Sequence, residues 1–267
     1  MTPALTVKGI EKTFNIGTVT ENYVLKGVDL VLEEGDYVTV IGGNGAGKST
    51  LLNAIAGTFG VDSGEIYIKD KNITRLPEHK RAVHLGRVFQ DPMLGTASDM
   101  TIEENLALAL HRGEKRGFKK AITEKEREYF KEILKKLDLG LENHLQDTIG
   151  LLSGGQRQAI TLLMASLKKP DLLLLDEHTA ALDPKTAAKV LDITDDIINE
   201  NHLTALMITH NMKDAIKHGN RLIMLNSGRV VFDVKGKEKA ELTVEKLLEK
   251  FSQSFSDDAL TDSLLLG

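Results

Sequence analysis

The sequence predicts an α/β protein with a largely parallel core sheet, a small antiparallel N-terminal layer and an inserted helical block. In its second half, short apolar or β-branched runs alternate with helical stretches, as in βα units. In its first third, such runs are separated by Gly-containing turns, at Glu34-Gly35-Asp36 and Asp62-Ser63-Gly64. From about Asp91 to Leu167 the strand-like runs stop and helical patterning takes over.

The segments expected as strands are Val28 to Leu32, Tyr37 to Ile41, Glu65 to Ile68, Leu85 to Phe89, Leu172 to Leu175, Thr204 to Ile208, Arg221 to Leu225 and Val230 to Asp233. Lys185 to Glu200 is expected as a helix between two of them. Within the helical block, Thr123-Glu124-Lys125-Glu126 has the form of a capping box. Tyr129, Phe130, Ile133, Leu134 and Leu137 then fall on one helical face, and Gly140 is placed to end the helix. Gly113 to Lys120 is basic and reads as an exposed loop. Beyond Lys235, a short amphipathic helix from Thr243 to Phe251 precedes a Ser/Asp-containing tail expected to be weakly ordered.

Composition narrows the function classes. The chain has 267 residues, 41% hydrophobic and 27% charged, enough for one large domain or two small ones. Aromatics are 4% and tryptophan is absent, so the core must be built from Leu, Ile, Val and Ala. The lack of cysteine excludes disulfides and thiolate metal sites. No run approaches the roughly 18 apolar residues of a membrane helix, and no signal peptide is expected at the N-terminus. A net charge of −5 argues against a nucleic-acid partner.

Gly42-Gly43-Asn44-Gly45-Ala46-Gly47-Lys48-Ser49 follows an apolar strand and precedes the helical Thr50 to Ala56. This is the G-x-x-x-x-G-K-[ST] phosphate loop in the context its chemistry requires. Glycines let backbone N–H groups turn toward phosphate oxygens, and the helix N-terminus faces the same anion. Lys48 supplies a positive charge at the β- and γ-phosphates of ATP, and the Ser49 hydroxyl can ligate Mg²⁺. Leu172 to Leu175 is a buried strand ending in Asp176-Glu177. Asp176 can reach that Mg²⁺. Glu177, on the opposite side by strand alternation, is placed to orient or deprotonate the attacking water.

Leu152-Ser153-Gly154-Gly155-Gln156 opens the helix Gln156 to Lys168 and makes a second anion-facing helix N-terminus. With this motif the sequence resembles the ABC (ATP-binding cassette) ATPases, from about Leu5 to Asp233. The resemblance implies a P-loop NTPase core of the RecA-like type, with an antiparallel β subdomain and an inserted helical subdomain. It also implies that Ser153, Gly154, Gly155 and Gln156 cap the γ-phosphate held by an opposite subunit. Gln90 matches the Q-loop glutamine, which contacts metal and water. Asp183, in Ala181-Leu182-Asp183, matches the D-loop, and His210 matches the switch histidine beside the γ-phosphate. Phe14 matches the aromatic that stacks on adenine, with Tyr23 nearby as a competitor.

Two positions depart from the family pattern. His178 stands where many members carry proline and is read as a local structural variant. Gly43 stands where proline or serine is frequent.

The domain plan is an ATPase domain over 1–235, with its helical subdomain at about 91–167, then a short C-terminal helix and tail over 236–267. The resemblance implies a homodimer with two ATPs at its interface, transmembrane permease subunits as partners, and a position at the cytoplasmic face of the cell membrane. The Asp176-Glu177-His178-Thr179 variant points to a bacterial importer, which adds an extracytoplasmic substrate-binding protein and takes a small polar solute such as an amino acid. The alternatives are an iron–sulfur-assembly type of ABC ATPase, an exporter ATPase, and a P-loop kinase. A kinase has no need of Leu152 to Gln156 or His210.

Overall fold

Two sheets organise the chain in the computed structural model, which describes residues 2–114 and 120–254. The expected basic loop therefore falls mostly outside the described residues, and so does the expected tail, whose first three residues continue a helix through Ser254. The first sheet holds β1 (Leu5–Phe14), β2 (Asn22–Leu32), β4 (Ser63–Ile68) and β5 (Lys71–Asn72) in the order β2-β1-β4-β5. All its pairings are antiparallel, so the layer suggested by the Gly-containing turns is present. It is larger than expected, because β1 and β5 lie outside the expected strands and β2 begins at Asn22. In β1, Leu5, Val7 and Ile10 are buried while the more exposed Thr6, Lys8 and Glu11 lie between or beside them. The register shifts around Gly9 then break the strict period.

The second sheet contains β3 (Tyr37–Ile41), β6 (Leu85–Val88), β7 (Leu172–Asp176), β8 (Ala205–Ile208), β9 (Arg221–Asn226) and β10 (Arg229–Lys235). Their order is β10-β9-β3-β8-β7-β6, and every pairing is parallel except β10 with β9. Strands covered on both faces must be apolar throughout. Leu172 to Leu175 and Ala205 to Ile208 are accordingly buried without interruption. The helices are α1 (Lys48–Ala56), α2 (Glu78–Arg81), α3 (Ile102–Leu110), α4 (Glu124–Lys136), α5 (Gly154–Ser166), α6 (Pro184–Asn201), α7 (Met212–Lys217), α8 (Lys237–Ala240) and α9 (Val244–Ser254).

In the helical block, the Thr123–Glu126 capping box forms in both directions. A second box, Thr101 with Glu104, starts α3. The block is less continuously helical than expected, since loops and single 3-10 turns separate its helices. Gly140 does not end α4. The helix stops at Lys136, Asp138 takes the left-handed conformation, and Gly140 instead leads into the turn Leu141–Asn143. The side chain of Asp138 is almost fully exposed, and a short acidic residue tolerates that conformation better than most.

Buried cations lock the helices to the sheets. Arg81 is 2% exposed, and its guanidinium donates to the carbonyls of Ala54 and Ile55 at the end of α1 and to those of Thr74 and Leu76. Lys239 of α8 is also 2% exposed and donates to the carbonyls of His218 and Gly219 and to Thr39 Oγ1 on β3. A cation at a helix C-terminus satisfies carbonyls that have no partner within the helix. The segment after Lys235 is thus pinned to the core, and Leu247 of α9 is buried against the group containing Met212, Leu222 and Met224.

Burial pushes the Lys239 ammonium down to about 8, against about 10.4 in an unfolded chain. Between those values the unfolded chain holds a proton that the folded chain has released, so stability rises with pH across that window. Urea unfolding of the wild type and Lys239→Met from pH 7.5 to 10 should show the wild type gaining relative stability, at no more than about 1.4 kcal/mol per pH unit. A constant difference would mean that the ammonium titrates normally.

Candidate functional site

Strand register brings the chemistry to one edge. Val40 of β3 pairs level with Ile208 of β8, and Ile208 pairs level with Asp176 of β7. Val88 of β6 is level with Leu175. The residues just past these points are Gly42, Gln90, Glu177 and His210, so four separate segments end at the carboxyl side of one sheet. Ligands of open α/β sheets bind outside this edge.

The phosphate loop leaves β3 through Gly42 and enters α1 at Gly47. A Cβ on Gly42 would fall on the Leu225 carbonyl oxygen of β9, so only glycine lets the loop pass there. Gly47 is the N-cap of α1, left-handed at φ 100°, and no side chain caps that helix. By contrast, α3, α4, α5, α6 and α7 all receive a side-chain cap. The first N–H groups of α1 are therefore left for an outside acceptor, and a phosphate supplies one. Asn44, Gly45 and Ser49 are exposed, whereas Ala46 and Lys48 are buried. Lys48 Nζ donates to the Gly42 and Gly43 carbonyls at 2.8 and 3.2 Å. Burial lowers its pKa, opposed by the charges of Glu177 and Asp176. Thr50 follows in the first turn of α1.

Ser49 Oγ donates to Asp176 Oδ1 at 3.2 Å. Two hard oxygen donors thus meet beside the loop, a set that suits a magnesium ion completed by phosphate and water. Burial raises the Asp176 pKa, and Ser49, Arg87 and Lys48 work against that rise. Glu177 does not follow the strand alternation expected of it. β7 ends at Asp176, and Glu177 turns left-handed at φ 45°, a conformation costing a non-glycine residue about 1–2 kcal/mol. Its N–H donates to the Ile208 carbonyl at 3.1 Å, and its Oε2 lies 3.7 Å from His210 Nδ1. His210 is more than half exposed and Gln90 is exposed.

Sequence reasoning missed Arg87. Its guanidinium bonds Thr58 Oγ1 at 3.0 Å and Asn53 Oδ1, and stacks 4.4 Å from the Phe89 ring centre. It lines an open cavity of about 660 Å³ together with Gln90, Asp91, Asp176 and Ala181. The signal was present, since Arg87 is a charge inside an otherwise apolar strand.

Ser153, Gly154, Gly155 and Gln156 lie apart from this cluster. α5 packs beside β6, and β6 stands three strands from β3, roughly 14 Å across the sheet. Among the described residues no hydrogen bond joins 153–156 to 42–50. Ser153 and Gln156 form a capping box, and Ser153 and Gly154 are exposed. A Cβ on Gly155 would strike the Thr186 side chain, and one on Gly154 would come within 3.2 Å of Leu182. Asp183 caps α6 by accepting from the Thr186 N–H at 3.2 Å. Phe14 ends β1 with its ring edge-on to Phe59 at 5.1 Å and the Lys12 ammonium 5.5 Å from its centre. Tyr23 is 41% exposed on the neighbouring strand, and both aromatics remain candidates for a base.

Comparison with known proteins agrees with this geometry. Residues 25–180 match the family model described as ABC transporter. A tyrosine transport ATP-binding protein of Clostridioides difficile is 47% identical over 247 residues, 92% of this chain and 98% of that protein. The spermidine/putrescine import ATP-binding protein PotA of Fusobacterium nucleatum is 36% identical over 83% of this chain and 57% of its own length. Among solved structures, the dimeric ATP-binding cassette MJ0796, in a post-hydrolysis state bound to ADP and Pi, superposes with a TM-score of 0.72 at 32% identity. That match covers 86% of this chain and 98% of that one.

Gly42→Ala should abolish ATP binding, because the added methyl cannot coexist with the Leu225 carbonyl and the loop must move. Titration calorimetry with a non-hydrolysable ATP analogue should detect no binding, and urea unfolding should show a loss of about 1–3 kcal/mol. Wild-type affinity in this variant would mean that the loop tolerates a different path.

Proposed function

Because the chain belongs to the ABC transporter family of ATP-binding proteins, we propose that it is the ATPase subunit of an importer for an amino acid, tyrosine or a close analogue. The observation carrying the mechanism is the convergence of the Gly42–Thr50 loop, Asp176, Glu177 and His210 at one sheet edge, with Ser153–Gln156 set apart. The cargo class is supported by the tyrosine transport relative, whose likeness runs along nearly the whole of both chains. The polyamine relative is less similar and shares little more than half its length. No described helix is long and apolar enough to cross a membrane, so membrane-spanning permease subunits on other chains would hold the protein at the membrane's cytoplasmic face. An extracytoplasmic substrate-binding protein would deliver the cargo. We assign 1–235 to the ATPase domain, with its helical subdomain at about 91–167, and 236–267 to an appended C-terminal segment.

In the proposed cycle, backbone N–H groups of the loop and the Lys48 ammonium hold the phosphates of ATP, and Phe14 or Tyr23 stacks on adenine. Ser49, Asp176 and Gln90 would hold Mg²⁺, which supplies charge neutralisation on the phosphate oxygens. Glu177 takes a proton from water as the water oxygen bonds to the γ-phosphorus. The bond to the β–γ bridging oxygen breaks, and ADP leaves with that electron pair. His210 donates a hydrogen bond to a γ-phosphate oxygen. Ser153–Gln156 of a second copy completes each site, with Asp183 at the seam. Closure of two copies around two ATPs drives the permease, and hydrolysis reopens them.

Glu177→Gln removes the proton acceptor and leaves the loop and Lys48 in place. Turnover should fall about 100-fold or more, with ATP affinity retained and ATP-bound dimers accumulating on gel filtration. Cells lacking the gene should lose uptake of labelled tyrosine, which the wild type restores and this variant does not. Normal uptake in the deletion strain would remove tyrosine as cargo. Normal turnover of Glu177→Gln would move the base elsewhere.

The shared-site reading has its own test. Lys48→Ala breaks the loop and Ser153→Arg blocks the Ser153–Gln156 signature motif, so each symmetric dimer should be inactive. A mixed dimer has one site with both lesions and one with neither. Random exchange makes half the dimers mixed, so single-turnover hydrolysis should recover to at most about a quarter of wild type. Co-purified mixed dimers that bind ATP but hydrolyse none would count against sites built from two chains.

A further inference from the structure

Behind the proposed base lies a buried hydrogen bond that the reaction itself does not use. His178 follows Glu177 directly, is 2% exposed, and brings its Nε2 to 3.0 Å from Thr194 Oγ1 in α6. Thr194 is fully buried, and its hydroxyl donates to the Val190 carbonyl at 2.7 Å. A hydroxyl has one proton. With that proton committed to Val190, Thr194 can only accept from His178, which fixes the imidazole proton on Nε2.

The turn that carries Glu177 is therefore held at several points. The Glu177 N–H is bonded to Ile208 of β8, its carbonyl accepts from Ala180 at 3.0 Å, and the next side chain reaches into α6. The same helix holds the other half of the site. Asp195, beside Thr194, places Oδ2 2.7 Å from Nδ1 of His218, the cap residue just past α7. α7 begins directly after His210 and Asn211. Consecutive residues of α6 thus grip the turn after β7 and the helix after His210, and α6 itself starts at Asp183.

We propose that His178 is a positioning residue: by donating to Thr194 it holds the left-handed Glu177 turn against α6 and keeps the Glu177 carboxylate in register with His210. The inference rests on the assignment of Glu177 as the base. Packing alone would make the hydroxyl of Thr194 dispensable, whereas positioning through this bond makes donor and acceptor matter equally.

Thr194→Val removes the acceptor with little change of volume, and His178→Ala removes the donor. His178→Gln restores an N–H close to the Nε2 position. Single-turnover hydrolysis by the full chain, normalised to sites that bind labelled ATP, separates slow chemistry from lost protein. Thr194→Val and His178→Ala should each slow hydrolysis per ATP-binding site by about 10- to 100-fold while KM for ATP stays within about twofold. Their double variant should be no slower than the slower single, because both act through one bond. His178→Gln should recover to within about threefold of wild type. If His178→Ala fails to fold, Thr194→Val and His178→Gln still decide the matter. Wild-type hydrolysis by Thr194→Val, or a His178→Gln variant as slow as a folded His178→Ala, overturns the proposal. Glu177→Gln is measured alongside: if it is active, the base assignment fails and this inference with it. An inactive Glu177→Gln beside an unaffected Thr194→Val overturns the positioning role alone.

Discussion

The parallel hydrogen-bond ladder joining β7, β8 and β3 is the constraint on which the rest of the molecule depends. It sets Asp176, Ile208 and Val40 level, and Glu177, His210 and Gly42 are reached within two residues of that line. A one-residue slip of β7 would move Asp176 about 3.3 Å along the strand and turn its side chain to the opposite face. The contact between Asp176 and Ser49 could not survive that. The slip is opposed by the buried run Leu172 to Leu175, which fills space on both faces of the sheet. Hydrophobic packing and the geometry of the proposed site are therefore one requirement here, met by the same residues.

Around this ladder the helices are tied down by buried cations. Arg81 holds the end of α1, and Lys239 holds the end of α7. Burying a charge is costly unless its hydrogen bonds are replaced, and backbone carbonyls replace them in both cases. The consequence reaches the site from behind. α1 presents its free N-terminus to the phosphate loop while its C-terminus is closed by Arg81, so the helix cannot fray away from the sheet. A site that leaves backbone donors unsatisfied and holds Glu177 in a left-handed conformation needs such a frame, because its own local energetics favour relaxation.

The sequence made the site more legible than the scaffold. The Gly42–Ser49 loop and Asp176-Glu177 could be found because phosphate and metal chemistry demand those residue types at those spacings. The parallel sheet was visible because strands covered on both faces are continuously apolar. β1 was not, since a half-exposed strand interrupted by a bulge at Gly9 shows only broken alternation. Arg81 and Lys239 were invisible for a different reason. In a sequence a lysine or arginine reads as surface, and what buries these two is a set of backbone carbonyls, partly from segments twenty or more residues away, that no local pattern records. Glu177 shows the limit of period rules: alternation holds while the ladder lasts, and it ended one residue too soon.

The glycines after Ser153 carry two explanations that act at different levels. Within one chain, a side chain at Gly155 would displace Thr186, and one at Gly154 would crowd Leu182. That packing joins α5 to the start of α6, whose cap is Asp183, and so makes the signature and D-loop segments one rigid corner. The exposure of Ser153 is not explained by it. The Ser153 cap satisfies the Gln156 N–H whichever way the residue faces, and the corner stands across the sheet from its own phosphate loop. In the proposed dimer this exposed edge serves the other copy's nucleotide. A second copy related by a two-fold axis would set that edge against the partner's loop, and would by symmetry receive the same in return.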